Sequence, residues 1–339
     1  IGGIILLLEK LCNSAGPSGN ENETRKIIMN ELGAFTENID VDRMGNIIVY
    51  KNSSSSSLKV MVVSHMDEFS LIITGYNGDG TLRFLPVGYV DKNSLPCKTV
   101  RIGNKEIPGV IGIKPIHLQN RMEVNKSLSC ENMCIDIGAF SEEECKKIVS
   151  LGDLVVFDNK FSQFGNEFFE GKALNDRIGC SILVELLKEN YKCNLYGVFN
   201  VQGRIGQRGI YAAAYNIKPD VAIILDTVNG TDEFETPDCS RTIKLKEGPV
   251  IPFKGGESIF DRGIVKSIRN QAANMDIPYQ KTGDTQKEGE LKAVNLAAES
   301  CKISAVLVPC RYMNSNISLC SKDDCHNTFN LLKNYLKKL

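Results

Sequence analysis

The sequence predicts an α/β protein, with a mostly parallel sheet flanked by helices and a β-rich module inserted near residue 68. Three observations predict it. At both ends of the chain, apolar runs of strand length alternate with longer stretches of helical periodicity, the pattern of parallel strands joined by crossover helices. From about Phe69 to Gly165 that alternation stops, and short strands punctuated by glycine and proline replace it. The 339 residues are 42% hydrophobic and 24% charged, a globular mix with enough apolar material for one large domain or two ordinary ones.

Ile4 to Leu11 reads as a helix, and Asn13 to Gly19 as a loop of turn-forming residues. A second helix follows over about Glu21 to Leu32, with Ile27, Ile28 and Leu32 on one face. Ile39–Asp42 and Ile47–Tyr50 read as strands around the turn Arg43-Met44-Gly45-Asn46, and Ser53–Ser57 as a solvated hairpin tip. Lys59–Val63 is a buried strand ending in Ser64-His65-Met66-Asp67-Glu68. In the β-rich module, Asn77-Gly78-Asp79-Gly80 is a hairpin turn. Only Ser141–Val149 looks helical there, with Ser141 as N-cap and Glu144 at the capping-box position. After Gly171 come a helix (Arg177–Lys188), a strand (Leu195–Val201), a helix (Arg208–Ala214) and a strand (Val221–Leu225) ending at Asp226. A long helix (Ile259–Met275), a strand (Ile303–Val308) and a closing helix (Lys322–Lys338) finish the chain, with no internal repeat.

Composition removes several function classes. Lys plus Arg is 40 and Asp plus Glu is 41, a net charge of −1. That gives no sequence-independent hold on nucleic acid or an anionic membrane, and neither is expected as a partner. No apolar run approaches the roughly 18 residues that span a bilayer. The run Ile4–Leu8 is followed at once by Glu9-Lys10, so it reads as the start of an amphipathic helix and not as a signal peptide. The 12 cysteines include no CxxC pair. In a chain of this length they read as reduced core thiols of a cytoplasmic protein. Only three histidines are present, His65, His117 and His326. Zinc hydrolases use two or three imidazoles.

In open α/β sheets, ligands bind beyond the carboxyl ends of the strands. Here those ends deliver His65 and Asp67, then Gly203-Arg204, then Asp226, then Tyr312-Met313-Asn314. The segment Gly171-Lys172-Ala173-Leu174-Asn175-Asp176-Arg177-Ile178-Gly179 lies among them at a helix start.

These stretches, taken with Asp42 to Asn46, Arg83 to Gly88, Ile107 to Gly112, Lys114 to Leu118, Asp136 to Ala139 and Pro309 to Tyr312, resemble the tetrahedral (TET) metallo-aminopeptidases. These are also called glutamyl or deblocking aminopeptidases (metallopeptidase family forty-two). The resemblance covers nearly the whole length. It implies a zinc-aminopeptidase-like catalytic α/β domain, residues 1–68 and 166–339, interrupted by a β-barrel-like dimerisation domain, residues 69–165. It also implies dimers assembled into a hollow twelve-subunit tetrahedron, and a site of two divalent metals, typically zinc or cobalt, with a glutamate as general base.

Carried over residue by residue, that site is degenerate. The family's first histidine ligand matches His65, and the aspartate that supports it matches Asp67. The metal-bridging aspartate falls on Asn175, the general base on Gly203 and a metal-binding glutamate on Arg204. The next aspartate is kept as Asp226, and the last histidine ligand falls on Asn314. The family's glycine-rich Thr-Asp-Ala stretch is disrupted, reading Thr282-Gly283-Asp284-Thr285-Gln286-Lys287-Glu288. Glycine accepts no proton, neutral amides are poor zinc ligands, and arginine keeps its charge at any relevant pH. At ~4 Å and an effective dielectric of ~20, a like charge costs about 4 kcal/mol. His65 and Asp226 alone remain as weak first-sphere remnants, so neither a metal cofactor nor a catalytic residue is predicted.

The expected protein is therefore a non-catalytic binding, regulatory or structural subunit. It would self-associate through the inserted domain, with an active paralogous subunit or a peptide as further partner. The alternative is an active aminopeptidase that recruits Glu68, Asp176 and Asp67 as an atypical ligand set. Of the other histidines, His117 falls in a structural stretch of the inserted domain and His326 on a solvated helix face. Asp226 is expected to cap the following segment or to pair with Arg204.

Overall fold

The structure is a computed structural model and describes residues 2–119, 128–256, 258–283, 288–298 and 301–339. Eleven strands form one sheet. At its centre, Asn194–Asn200, Lys59–His65, Val221–Asn229 and Lys302–Arg311 lie side by side and run parallel. They are apolar along both faces, as strands covered on each side must be. In Lys302–Arg311 every residue between the two ends is buried.

The flanks correct the expectation of a mostly parallel sheet. Ile39–Val41, Ile47–Lys51, Ser318–Ser321, Phe168–Gly171 and Ser162–Phe164 all pair antiparallel. The cause is connection length. Ser162–Phe164 and Phe168–Gly171 are joined by residues 165–167, and Lys302–Arg311 and Ser318–Ser321 by residues 312–317. Links that short can only reverse the chain. The sheet is therefore mixed. Val250–Pro252 pairs antiparallel with Lys302–Arg311 and parallel with Gln280–Thr282.

Two groups of helices accompany the sheet. Leu174–Leu187 packs against Gly2–Asn13 and Lys322–Lys338, and Lys322–Lys338 against Arg262–Asn274. Arg208–Ile217 packs on Glu288–Ala297. In Leu174–Leu187 only Glu185 escapes burial.

A closed barrel holds the six strands Ser70–Tyr76, Thr81–Val87, Met133–Asp136, Ile107–Ile113, Thr99–Ile102 and Leu154–Phe157 in that neighbour order. Leu71, Leu82, Ile111, Ile135 and Val155 fill it, in an apolar cluster separate from that of the sheet. Ser141 does cap the barrel's helix Glu142–Ile148, and the Glu144 carboxylate accepts the N–H of Phe140.

Several boundaries differ from the sequence reading. Residues 53–57 are not a hairpin tip, because Asn194–Asn200 inserts between the strands on either side of them. The helix placed at Arg177 begins at Leu174, and the one placed at Ile259 begins at Arg262, where Asp261 accepts the N–H of Ile264. The Asp226 strand continues to Asn229. The helix Glu288–Ala297 and the strands Val250–Pro252, Gln280–Thr282 and Ser318–Ser321 were not read from the sequence.

Candidate functional site

The ends of the parallel strands bring His65, Asp67, Asn175, Gly203, Arg204, Asp226 and Asn314 into one cluster. His65 is the last residue of its strand and lies opposite Asn200 in the register. Asp67, two residues on, is fully buried. Its carboxylate accepts the N–H of Gly203 at 2.7 Å, the N–H of Arg204 at 2.8 Å and the hydroxyl of Ser18 at 2.5 Å. Burial raises the Asp67 pKa, but the hydrogen bond and charge of His65, with the Ser18 and Arg204 bonds, outweigh it and bring the pKa to about 2. Asp67 thus pins the turn carrying Gly203 and Arg204 to the His65 strand.

His65 Nδ1 lies 3.3 Å from an Asp67 oxygen, and Nε2 lies 3.6 Å from Asp226 Oδ1 and 3.7 Å from Asp176 Oδ1. Burial disfavours the imidazolium, yet Asp226, then Asp67 and Asp176, raise the His65 pKa to about 10. The ring is therefore a cation at neutral pH. Asp226 Oδ1 also accepts the N–H of Thr227.

The guanidinium of Arg204 turns inward, but its partner is Asp176 and not Asp226. Nε donates to Asp176 Oδ1 at 2.7 Å, Nη2 donates to the same oxygen, and Nη1 donates to Asn314 Oδ1 at 3.1 Å. The helix start explains the exchange: beginning at Leu174, it sets Asp176 in a buried first turn beneath Arg204. Burial raises the Asp176 pKa, and Arg204 and His65 oppose that rise. Asn175 donates to Asp176 at 3.4 Å and accepts the Ser318 hydroxyl at 3.1 Å. It acts as a hydrogen-bond link.

Glu68 is engaged elsewhere. Lys172 Nζ lies 2.9 Å from both its oxygens, Arg177 Nη2 lies 3.2 Å from one, and the N–H of Gly16 donates at 2.9 Å. Sequence reasoning missed Lys172 and Arg177 as its partners. The available signal was two basic residues, Lys172 just before the helix and Arg177 in its first turns, beside a largely apolar helix. Four cations, His65, Lys172, Arg177 and Arg204, thus face four carboxylates, Asp67, Glu68, Asp176 and Asp226.

The position expected to carry a general base has no room for one. A Cβ on Gly203 would stand 2.7 Å from His65 Cβ and 3.0 Å from Asp67 Oδ1. The residues present do not fit a pair of divalent metals. Arginine donors occupy Asp176, the neighbouring amides are neutral, and among the described residues no three His, Cys, Asp or Glu side chains are grouped to hold a metal ion. The backbone around the site is nonetheless specialised, with Ala173, Gln202, Tyr312 and Asn314 all at positive φ, 51° to 63°. Such conformations cost of order 1–3 kcal/mol each and cluster at functional sites. The barrel covers the site: a Cβ on Gly88 would lie 3.1 Å from Arg204 Cβ, and the N–H of Asp91 donates to the Asn314 carbonyl.

Asp284, Thr285, Gln286 and Lys287 of the altered Thr-Asp-Ala stretch lie outside the described residues. His117 is exposed in a short turn within Ile116–Leu118. His326 is half-buried: its Nε2 meets Asn330 Nδ2 at 2.9 Å and its Nδ1 is buried without a partner. All 12 cysteines are free thiols. Among the described residues no helix is long and apolar enough to cross a membrane.

A mixed α/β sheet with parallel central strands, an inserted closed barrel and a polar cluster at the strand ends is the architecture of the TET aminopeptidases. An aminopeptidase from the archaeon Desulfurococcus kamchatkensis superposes with a TM-score of 0.93 at 28% identity, covering 100% of this chain and 95% of that chain. The Pyrococcus horikoshii TET1 peptidase, which can assemble into a tetrahedron or a large octahedral shell, gives 0.85 at 28% identity, covering 99% and 100%. In sequence, the aminopeptidase-family protein FrvX of Escherichia coli (strain K12) is 33% identical over 343 residues, 99% of this chain and 95% of its own. Residues 45–331 match the family model of the M42 glutamyl aminopeptidases, and the chain belongs to that family.

Proposed function

We propose that this chain is a non-catalytic member of the M42 family, a binding, regulatory or structural subunit that keeps the aminopeptidase scaffold without its chemistry. One observation carries the reading: the Arg204 guanidinium sits on Asp176 inside the acid cluster, beside a Gly203 that has no room for a base. Removing metals from an ordinary dinuclear site leaves carboxylates facing one another, which is costly. Here Arg204 and the imidazolium of His65 supply the missing positive charge.

The rival reading, an aminopeptidase with recruited ligands, is weakened by where those ligands point. Glu68 is held by Lys172 and Arg177, Asp176 by Arg204, and Asp67 by two backbone N–H groups and Ser18. Glu68 and Asp67 would have to abandon buried partners to reach a metal, and Asp176 would offer its one unbonded oxygen beside the Arg204 guanidinium. The positive-φ backbone at Ala173, Gln202, Tyr312 and Asn314 supports a binding role, whose ligand would be a peptide or an active paralogous subunit.

Self-association through the barrel-bearing part, about residues 69 to 165, belongs to the same proposal. The rest of the chain, residues 1–68 and 166–339, supplies the catalytic-type scaffold. The P. horikoshii relative's assembly into shells supports oligomerisation. Free thiols throughout suit a cytoplasmic setting.

The test is a peptidase assay on pure protein with zinc, cobalt or manganese added, alongside elemental analysis. The expected result is no release of N-terminal residues above background and no stoichiometric metal. Chelator-sensitive turnover would overturn the proposal.

A further inference from the structure

A cavity of about 560 Å³ lies between the helix Arg262–Asn274 and Phe253, Lys254, Ile259, Phe260 and Tyr279. It shares no residue with the His65–Arg204 cluster. Its size falls within the ~300–1,000 Å³ of sites that enclose small organic molecules.

Two features give it chemical character. Arg262, Lys266 and Arg269 line it from the helix. Spacings of four and three residues put them on one helical face. Among the described residues, Arg262 and Lys266 form no ion pair, and the lining contains no carboxylate. In a chain of net charge −1, this is a local concentration of positive charge. The opposing surface is aromatic, with Phe253, Phe260 and Tyr279.

Arg269 joins the two features. Its guanidinium lies over the Phe253 ring, 3.8 Å from the centroid, and Nη2 donates to the Ile251 carbonyl. Its Nε is buried with no hydrogen-bond partner. Burial pushes the Arg269 pKa down. A fixed, partly desolvated cation with an unmet donor is stabilised by an incoming anion more than a solvated one would be.

We propose that this cavity binds a small organic anion whose carboxylate or phosphate meets the Arg262–Lys266–Arg269 ridge and whose apolar or aromatic body lies against Phe253, Phe260 and Tyr279. The concave shape and apolar walls favour a small molecule over a polyanion. The site is independent of the function proposed above, because no residue is common to both.

Calorimetric titration of the full chain at low salt with naphthoate, naphthyl phosphate and neutral naphthol tests this. At least one anion should bind at one per chain, and naphthol about tenfold more weakly or worse. The tighter of the two anions identifies the head group. Lys266→Glu, on the exposed side of the helix, should weaken the preferred anion about fivefold or more, with unchanged thermal stability. Arg269→Gln should weaken it as well. Equal binding of naphthol, no saturable binding of either anion below about 1 mM, or unchanged affinity in Lys266→Glu would each overturn the proposal.

Discussion

At Arg204, one side chain replaces a ligand and also neutralises the acids left behind. Its partner Asp176 is fully buried, and one Asp176 oxygen has no hydrogen bond. Arg204→Ala would strand that carboxylate, and breaking a buried pair from one side costs about 3–5 kcal/mol. Urea denaturation should show that loss. The double variant Arg204→Met with Asp176→Leu should recover much of it, because apolar replacement of both partners removes the desolvation cost. If the two single losses simply add, the pairing is wrong. Gly203→Glu, the change that would restore a base by analogy, should instead lower stability by about 1–3 kcal/mol through overpacking against His65 and yield no peptidase activity.

His65 gives the cluster a pH signature. Its folded pKa of about 10 stands above the ordinary 6.5. A raised pKa means that the stabilisation is fully present below 6.5 and is lost as pH rises through 10. The denaturation midpoint should therefore fall between pH 7 and pH 10, and His65→Gln should flatten that fall. An unchanged slope in the variant would assign the titration elsewhere.

Among the elements, the sequence was most legible where pattern is local. Lys322–Lys338 matches its predicted bounds, and the Asn77–Gly80 turn sits between two strands as its residues require. It was least legible where partners are distant. Nothing near Phe168 or Ser318 announces a strand, and Phe168–Gly171 and Ser318–Ser321 pair with each other from far apart in the chain. The site divides the same way. The absence of a base at Gly203 and of ligands at Asn175 and Asn314 could be read from residue type. That Arg204 chooses Asp176 depends on a helix beginning three residues earlier than its periodicity showed. The Asp42–Asn46 turn illustrates the link between the two levels. Asp42 Oδ1 accepts the N–H groups of Met44, Gly45 and Asn46. Asn46 then reaches across to accept the N–H of Val201 at 2.9 Å and to donate to the Gly209 carbonyl at 2.9 Å. That bridge holds the end of the strand leading into Gly203. Asn46→Ala leaves the buried N–H of Val201 unsatisfied and should cost about 1–3 kcal/mol. Hydrogen exchange should accelerate first at residues 200–204.

At the scale of the molecule, self-association through the barrel is decided by its surface side chains. A β-rich insert built as an open sheet would leave strand edges in need of cover. The closed barrel leaves no such edges, so any association through it must use side chains. The surface offers them: Phe140 is 86% exposed and Tyr89 is 72% exposed, with Leu118 and Leu151 also uncovered. Large apolar groups left in water on one module mark an interaction surface when they gather into a patch. Light scattering across micromolar concentrations should give a mass of at least two chains. Tyr89→Lys with Phe140→Lys should shift it toward the monomer. A monomer in the unmodified protein would remove the barrel as an interface. An oligomer insensitive to both lysines would move the interface to the α/β part, where Tyr211 and Tyr215 on the helix Arg208–Ile217 and Leu296 on its neighbour Glu288–Ala297 are among the exposed apolar groups of the described residues.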